Sequence, residues 1–215
     1  MTKPESLAVQ TIGILGAGKL GVVLAQHSLR AGYDVYIAGS GEPAKIRLSM
    51  QVLAPGSHAV TRDELVDAAD IIILALPLSK FTDIPADAFA GKLVIDAMNY
   101  WWEVDGERDD FKDPNISTSE LVQQYFSSAR ITKAVSHIGY HHLHDEAKPH
   151  GTNGRKAIAI ASDYPGDAET VASYIDSIGF DPIQIGGLAK GKQLEPGHPA
   201  FGAHVDAATL RSYIH

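Results

Sequence analysis

The chain contains no cysteine. Disulfides, iron–sulfur clusters and thiolate zinc sites are therefore excluded within it. No apolar run approaches the roughly 20 residues that a membrane-spanning helix needs. The opening MTKPESLAVQ has one lysine and no long apolar stretch, unlike a secretory leader. Positive charge is also in short supply: 18 Lys and Arg face 26 Asp and Glu, for a net charge of -8. That balance argues against nucleic acid or an anionic membrane as partner, while leaving room for a local basic pocket. The expectation is a cytoplasmic protein that acts on small molecules. Hydrophobic residues make up 45% of the chain and charged residues 20%, enough for a real core and too apolar for disorder.

Apolar runs of strand length recur over 11–15, 34–38, 71–76, 93–97, 131–135, 157–161 and 182–185. Most are continuous rather than alternating, as in strands buried on both faces of a parallel sheet. Helical patterns lie between several of them, over 20–30, 63–69, 117–126 and 167–178. The first ends in Arg30-Ala31-Gly32, with a cation in the last turn and glycine at a left-handed cap. Ser117-Thr118-Ser119-Glu120 supplies cap residues for the third. The pattern predicts an α/β fold, a doubly wound, mostly parallel Rossmann sheet with a small C-terminal lobe. Residues 1–150 are expected to form the dinucleotide-binding domain and 151–215 a small α/β lobe packed on it. Two irregular stretches, 99–115 and 137–155, follow strands and are placed to reach the ligand edge.

The strand Thr11–Leu15 runs into Gly16-Ala17-Gly18-Lys19-Leu20-Gly21. This is G-x-G-x-x-G between strand and helix. Gly16 permits a tight turn, Gly18 lets a diphosphate approach the backbone, and Gly21 lets helix and strand pack closely. The helix start offers unpaired N–H groups to the phosphates. The second strand decides which dinucleotide is bound. NAD-selective sites place Asp or Glu at its tip, on the ribose 2′-OH. Here the tip reads Ala38-Gly39-Ser40-Gly41, with Lys45 and Arg47 following. A neutral hydroxyl and nearby cations suit the 2′-phosphate of NADP(H), and one or two charge-assisted contacts favour it by about ten- to a hundredfold. Leu76-Pro77-Leu78 and Asn99 to Trp101 end later strands, at the cofactor edge. Asn99 is a candidate for the ribose or carboxamide, and Trp101 for the wall of the nicotinamide or, equally, for core or interface.

Five of the ten histidines fall in the segment 137–150. Imidazoles are good metal ligands, and Asp145 or Glu146 could assist. Gly139 and Pro149 argue against a helix there, so no metal site is assigned. His137, nearest a strand end, and His141 are instead expected near the substrate. No catalytic acid, base or nucleophile is assigned.

Ile12 to Gly21, Ala38-Gly39-Ser40, Ala75-Leu76-Pro77 and Asp96-Ala97-Met98-Asn99 resemble the NADPH-dependent reductases of coenzyme F-420, a deazaflavin. Lys133-Ala134-Val135 and Leu194-Glu195-Pro196-Gly197 resemble that family's bacterial branch. The resemblance implies a homodimer that passes hydride between NADPH and a small-molecule redox acceptor, F-420 or a flavin. It puts the phosphate turn on Ala17, Gly18, Lys19 and Leu20, and the 2′-phosphate pocket on Ser40, Gly41 and Lys45. It puts nicotinamide contacts on Leu78, Asn99, Trp101 and Tyr140. Two departures stand out: Gly41 replaces a frequent Arg, and His137-Ile138-Gly139 replaces a segment like Thr-Ile-Pro. Quinones and ferric chelates are therefore open as acceptors too. Two other readings remain: reduction of a carbonyl or imine with His137 or Tyr140 as proton donor, and non-catalytic NADP(H) sensing.

Overall fold

A computed structural model describes residues 9–215. The reading of the opening segment as no leader therefore lies partly outside the described residues. In chain order the elements are β1 (Thr11–Leu15), α1 (Lys19–Arg30), β2 (Asp34–Ala38), α2 (Ala44–Leu53), β3 (His58–Ala59), α3 (Arg62–Ala68), β4 (Ile71–Leu74) and β5 (Leu93–Asp96). There follow a short α4 (Trp102–Asp105), α5 (Thr118–Tyr125), β6 (Arg130–Ala134), α6 (Tyr140–Glu146), β7 (Ala157–Ser162), α7 (Pro165–Ser177), β8 (Asp181–Gly186) and α8 (Ala207–Ser212).

All eight strands join one sheet in the order β3-β2-β1-β4-β5-β6-β7-β8. Every neighbouring pair is parallel except β6 and β7. The strands expected of the C-terminal lobe thus extend the same sheet. Alternate side chains feed cores on both faces of the sheet, with a smaller cluster of Ala157, Ala159 and Ile183 under Leu210 of α8. Ile12, Ile14, Val35, Ile37, Ile71 and Ile73 pack with Leu24 of α1 and Val171 of α7. Leu15, Ile72, Leu74 and Val94 pack on the other face with Leu65 of α3 and Val122 of α5. All four residues of β4 are fully buried, which is why its sequence is an unbroken apolar run. Each such side chain contributes about 1.5–3 kcal/mol of burial.

The helix ends follow from local chemistry. Ser117 and Glu120 form a reciprocal capping box at the start of α5. Gly32 (φ +94°) follows α1 and Gly179 (φ +108°) follows α7, both in the left-handed region that favours glycine. Five elements depart from the sequence reading, the short α4 and α8 and three others. The first of these three is α2, which buries only Met50, starts without a side-chain cap and leaves Leu48 and Val52 exposed, so it has little helical signature. The second is β3, with two residues too short to read as a strand. The third is α6, against which Gly139 and Pro149 had argued. Gly139 is its N-cap and Pro149 lies beyond its end, so neither interrupts it.

Strand order reverses direction between β1 and β4. β2 and β3 lie on one side of β1, and β4 onward on the other. The crevice outside the carboxyl ends of those two strands is where open α/β sheets bind ligand.

Candidate dinucleotide site

The glycine turn opens into that crevice. Gly16 has φ +123°, and a Cβ there would come within 2.2 Å of the Ala75 carbonyl oxygen at the end of β4. A Cβ at Gly21 would come within 1.8 Å of the Gly16 carbonyl oxygen. These two glycines are fixed by close backbone approach. Gly18 differs: it has an extended backbone, and nothing lies within 4 Å of the position of its absent Cβ. Its role is to leave room above the start of α1. The first turn of α1 has no side-chain cap and no acidic residue, so its unpaired N–H groups face that room. This arrangement fits a diphosphate.

At the tip of β2, Ser40 and Gly41 are exposed, and no carboxylate stands between Ala38 and Gly41. A Cβ at Gly41 would come within 3.2 Å of Lys45 Nζ, so the lysine folds back over the glycine. Ser40, Gly41 and Lys45 are thus brought together. Arg47 lies on the exposed surface of α2, and among the described residues neither it nor Lys45 appears in an ion pair.

Beyond β5 and β6 the edge is built from buried polar groups. Val135 has φ +67°, a left-handed conformation that a β-branched residue rarely adopts, at a cost of about 1–3 kcal/mol. It turns the chain after β6, and Asn99 Nδ2 donates to the Ser136 carbonyl oxygen at 2.6 Å. Asn99 Oδ1 and Ser136 Oγ are left buried with no hydrogen-bond partner. Beneath them Asp96 and Lys133 form a fully buried ion pair, Nζ to Oδ2 3.3 Å. Lys133 Nζ also donates to the Met98 carbonyl at 2.5 Å, Met98 N–H donates to Asp96 Oδ1 at 2.9 Å, and Ser119 Oγ donates to Asp96 Oδ2 at 2.6 Å. This network fixes the turn that presents Asn99. Sequence reading missed Val135, Ser136 and the pairing of Asp96 with Lys133. The one signal for the pair was an acid and a lysine within otherwise apolar strand runs.

The remaining site residues divide. Tyr140 begins α6 and stands beside the glycine turn, with Lys19 Nζ 5.4 Å from its ring centroid and the exposed His141 ring 3.9 Å away. Trp101 is partly exposed and packs on Phe201 of the C-terminal segment, with centroids 5.5 Å apart. Leu76 is half-buried and Pro77 exposed at the β4 end. Two residues do not face the crevice as expected. Leu78 is fully buried in the core beside Phe81, because its turn directs the side chain under the sheet. His137 is also buried: its Nε2 accepts from the Ala159 N–H at 3.0 Å, and Gly202 N–H donates to its carbonyl at 2.7 Å. Burial pulls the imidazole down to about 4, so it is neutral at physiological pH. His137 ties β6 to β7 and the C-terminal segment. Glu195, from Leu194-Glu195-Pro196, has a similar structural part. It accepts from Thr118 N–H at 2.6 Å and Thr118 Oγ1 at 3.0 Å, anchoring the C-terminal segment on the start of α5.

Residues 11–100 match the family described as NADP oxidoreductase, coenzyme F420-dependent. The chain is 27% identical over 187 residues to metalloreductase STEAP3 of Rattus norvegicus, covering 86% of this chain and 35% of that protein. It therefore spans about a third of that relative's length. Among solved structures, SMa0349 of Sinorhizobium meliloti superposes with TM-score 0.79 at 26% identity, over 92% of this chain and 96% of that one. A protein of Arthrobacter sp. FB24, described as an F420-dependent NADP reductase, superposes with TM-score 0.71 at 19% identity, over 85% and 89% of the two chains, a likeness of fold. Among the described residues no helix is long and apolar enough to cross a membrane. Residues 11–100, which carry the glycine turn and strands β1 to β5, are thus similar to the coenzyme F420-dependent NADP oxidoreductases over less than half of the chain, and the sheet built around them shares that fold.

Proposed function

We propose that this protein transfers hydride between NADP(H) and a planar redox acceptor of the deazaflavin or flavin class. The observation that carries the reading is an open glycine turn at a helix start, beside a strand tip with a hydroxyl and a folded-back lysine but no carboxylate. Gly16 to Gly21 would hold the diphosphate, and Ser40, Gly41 and Lys45 the 2′-phosphate. Asn99 Oδ1, as acceptor, and Ser136 Oγ, as donor, suit a carboxamide, the group a nicotinamide would bring to two unpartnered buried atoms. When bound, reduced nicotinamide supplies two electrons and a proton as hydride.

The chain's own part is positioning and exclusion of water. The Asp96–Lys133 network holds the Asn99 turn rigid, and two residues beyond it Trp101, tilted 59° against Phe201, presents an exposed aromatic surface. Such a surface suits a ring acceptor. Carbonyl or imine reduction would require a proton donor at the crevice. His137 is buried with Nε2 occupied, so of the two candidate donors Tyr140 is the one beside the glycine turn. A homodimer is part of the same proposal, supported by the exposed Leu48, Val52, Trp102 and Val104. Gel filtration tests it.

The function is tested by following NADPH absorbance with F-420, flavins, quinones and ferric chelates in turn. Acceptor-dependent oxidation by a deazaflavin or flavin is expected. Oxidation only by small carbonyls or imines would replace this reading with the second one. Tight NADPH binding with no oxidation by any acceptor would indicate a sensor.

A further inference from the structure

On the face of α6, His142 and Glu146 stand one helical turn apart, and His204 reaches them from the C-terminal segment. His142 Nδ1 lies 2.9 Å from Glu146 Oε1, and His204 Nδ1 lies 2.9 Å from the same oxygen. The two imidazole rings stack with centroids 3.7 Å apart and planes 7° apart. All three potential ligand atoms lie within 4.8 Å of one another. Among the described residues, one side-chain hydrogen bond is made within this group, between His142 and Glu146. His204 Nδ1 and Glu146 Oε2 are buried atoms with no hydrogen-bond partner. Lys156 Nζ, 3.6 Å from Oε2, supplies an ion pair to the far oxygen of the carboxylate.

We infer that His142, Glu146 and His204 form a binding site for a first-row divalent cation, distinct from the dinucleotide crevice. Two imidazoles and one carboxylate are ligands of borderline softness, suited to zinc, nickel, cobalt or iron(II). Three protein ligands within 4.8 Å of one another leave the remaining positions of such an ion to water. The ring planes are now parallel, so binding requires each ring to tilt until its lone pair meets the ion. Half-exposed histidines on a helix face and a loop can do this without disturbing the core.

The site would act as a staple. Leu143 of α6 accepts from buried His27 of α1 at 2.7 Å, and Val205, next to His204, accepts from Ala157 N–H at the start of β7 at 2.9 Å. A cation here would lock the C-terminal segment to α6, and through α6 to the helix that starts at the glycine turn. In a chain without cysteine, a metal of this kind closes a long loop in the way a disulfide does elsewhere.

The test uses the full chain with any tag removed and stripped of metal by chelator. NiCl2 and ZnCl2 are titrated in by calorimetry, and thermal melts are recorded with and without each. One cation per chain is expected, with a melting temperature raised by several degrees. His204→Ala and His142→Ala should each weaken binding about tenfold or more, while His144→Ala, beside the exposed His144–Asp145 pair, should leave it unchanged. Co2+ gives a readout independent of the variants: a visible absorption that saturates at one equivalent reports ligation by the chain. No saturable binding at one equivalent would overturn the proposal. So would binding that survives His204→Ala.

Discussion

Two neighbouring parts of the crevice are made in opposite ways. From Gly16 to Gly21 the chain works by omission: two glycines let backbone touch backbone, and a third leaves open space at a helix start. At the ends of β5 and β6 it works by inclusion. A lysine and an aspartate are buried together, a valine is held at positive φ, and unpartnered oxygens line the edge. An omission leaves a fixed spacing in the chain and can be read from it. An inclusion depends on which distant side chains meet, and spacing says little about that.

The sharpest way to break the first half of the comparison is to restore the missing Cβ atoms one at a time. Gly21→Ala puts a methyl group 1.8 Å from a carbonyl oxygen, and neither group can move without parting α1 from β1. Loss of soluble protein or of NADPH binding by more than about a hundredfold is expected. Gly18→Ala meets no atom within 4 Å, so the melting temperature should barely change while NADPH affinity falls about tenfold or more. Equal stability losses in the two variants would show that both glycines serve packing and that neither is kept open for a ligand.

The second half is broken at Lys133. Removing one member of a buried pair leaves an uncompensated charge, at a cost of about 3–5 kcal/mol. Lys133→Met should therefore lower the urea midpoint strongly, and Lys133→Met with Asp96→Asn should recover part of the loss. No recovery in the double variant would mean that the Met98 carbonyl, rather than Asp96, is the partner that matters.

How far the sequence could be read follows the same division. The strand runs, the capping box at Ser117 and the Gly16–Gly21 turn were legible because each depends on residues close together in the chain. The helix α2 was not, since it buries one residue and owes its place to β2 and β3. Nor was α6, where a glycine and a proline read as breakers turned out to flank the helix. His137 and Leu78 were misplaced for a related reason. Both stand just after strand ends, but proximity to the edge does not say whether a side chain turns outward or into the core.

His137 also gives a solution signature to the inclusion side. Its imidazole titrates near 6.5 when unfolded and, because of burial, at about 4 when folded. Stability is therefore complete above 6.5. It declines as pH falls, because the unfolded chain takes up a proton that the folded chain refuses, and the decline levels off below 4. This one group should cost about 2 kcal/mol by pH 5. His27, also lowered by burial, acts in the same direction. Urea melts at pH 7 and pH 5 measure the drop. In His137→Gln, which keeps an acceptor for the Ala159 N–H, the drop should shrink by that amount. An unchanged drop would mean that His137 is not the group responsible.

The smallest effect tests the strand tip, where omission and inclusion meet: a carboxylate is missing and a hydroxyl is present. Ser40→Asp supplies the missing carboxylate at an exposed position, so stability should stay within about 0.5 kcal/mol of the parent. The cofactor should notice. A 2′-phosphate would meet a like charge and lose a hydrogen bond, worth about 1.5–3 kcal/mol, so NADPH affinity should fall by about ten- to a hundredfold. A free 2′-OH could instead donate to the new carboxylate, so NADH should be weakened little or bound better. Calorimetry with both nucleotides separates the cases. If both fall equally, Ser40 lies away from the ribose and the selectivity arises elsewhere. If NADPH alone falls, the side chain absent from the tip of β2 determines selectivity as much as those absent from the turn allow binding.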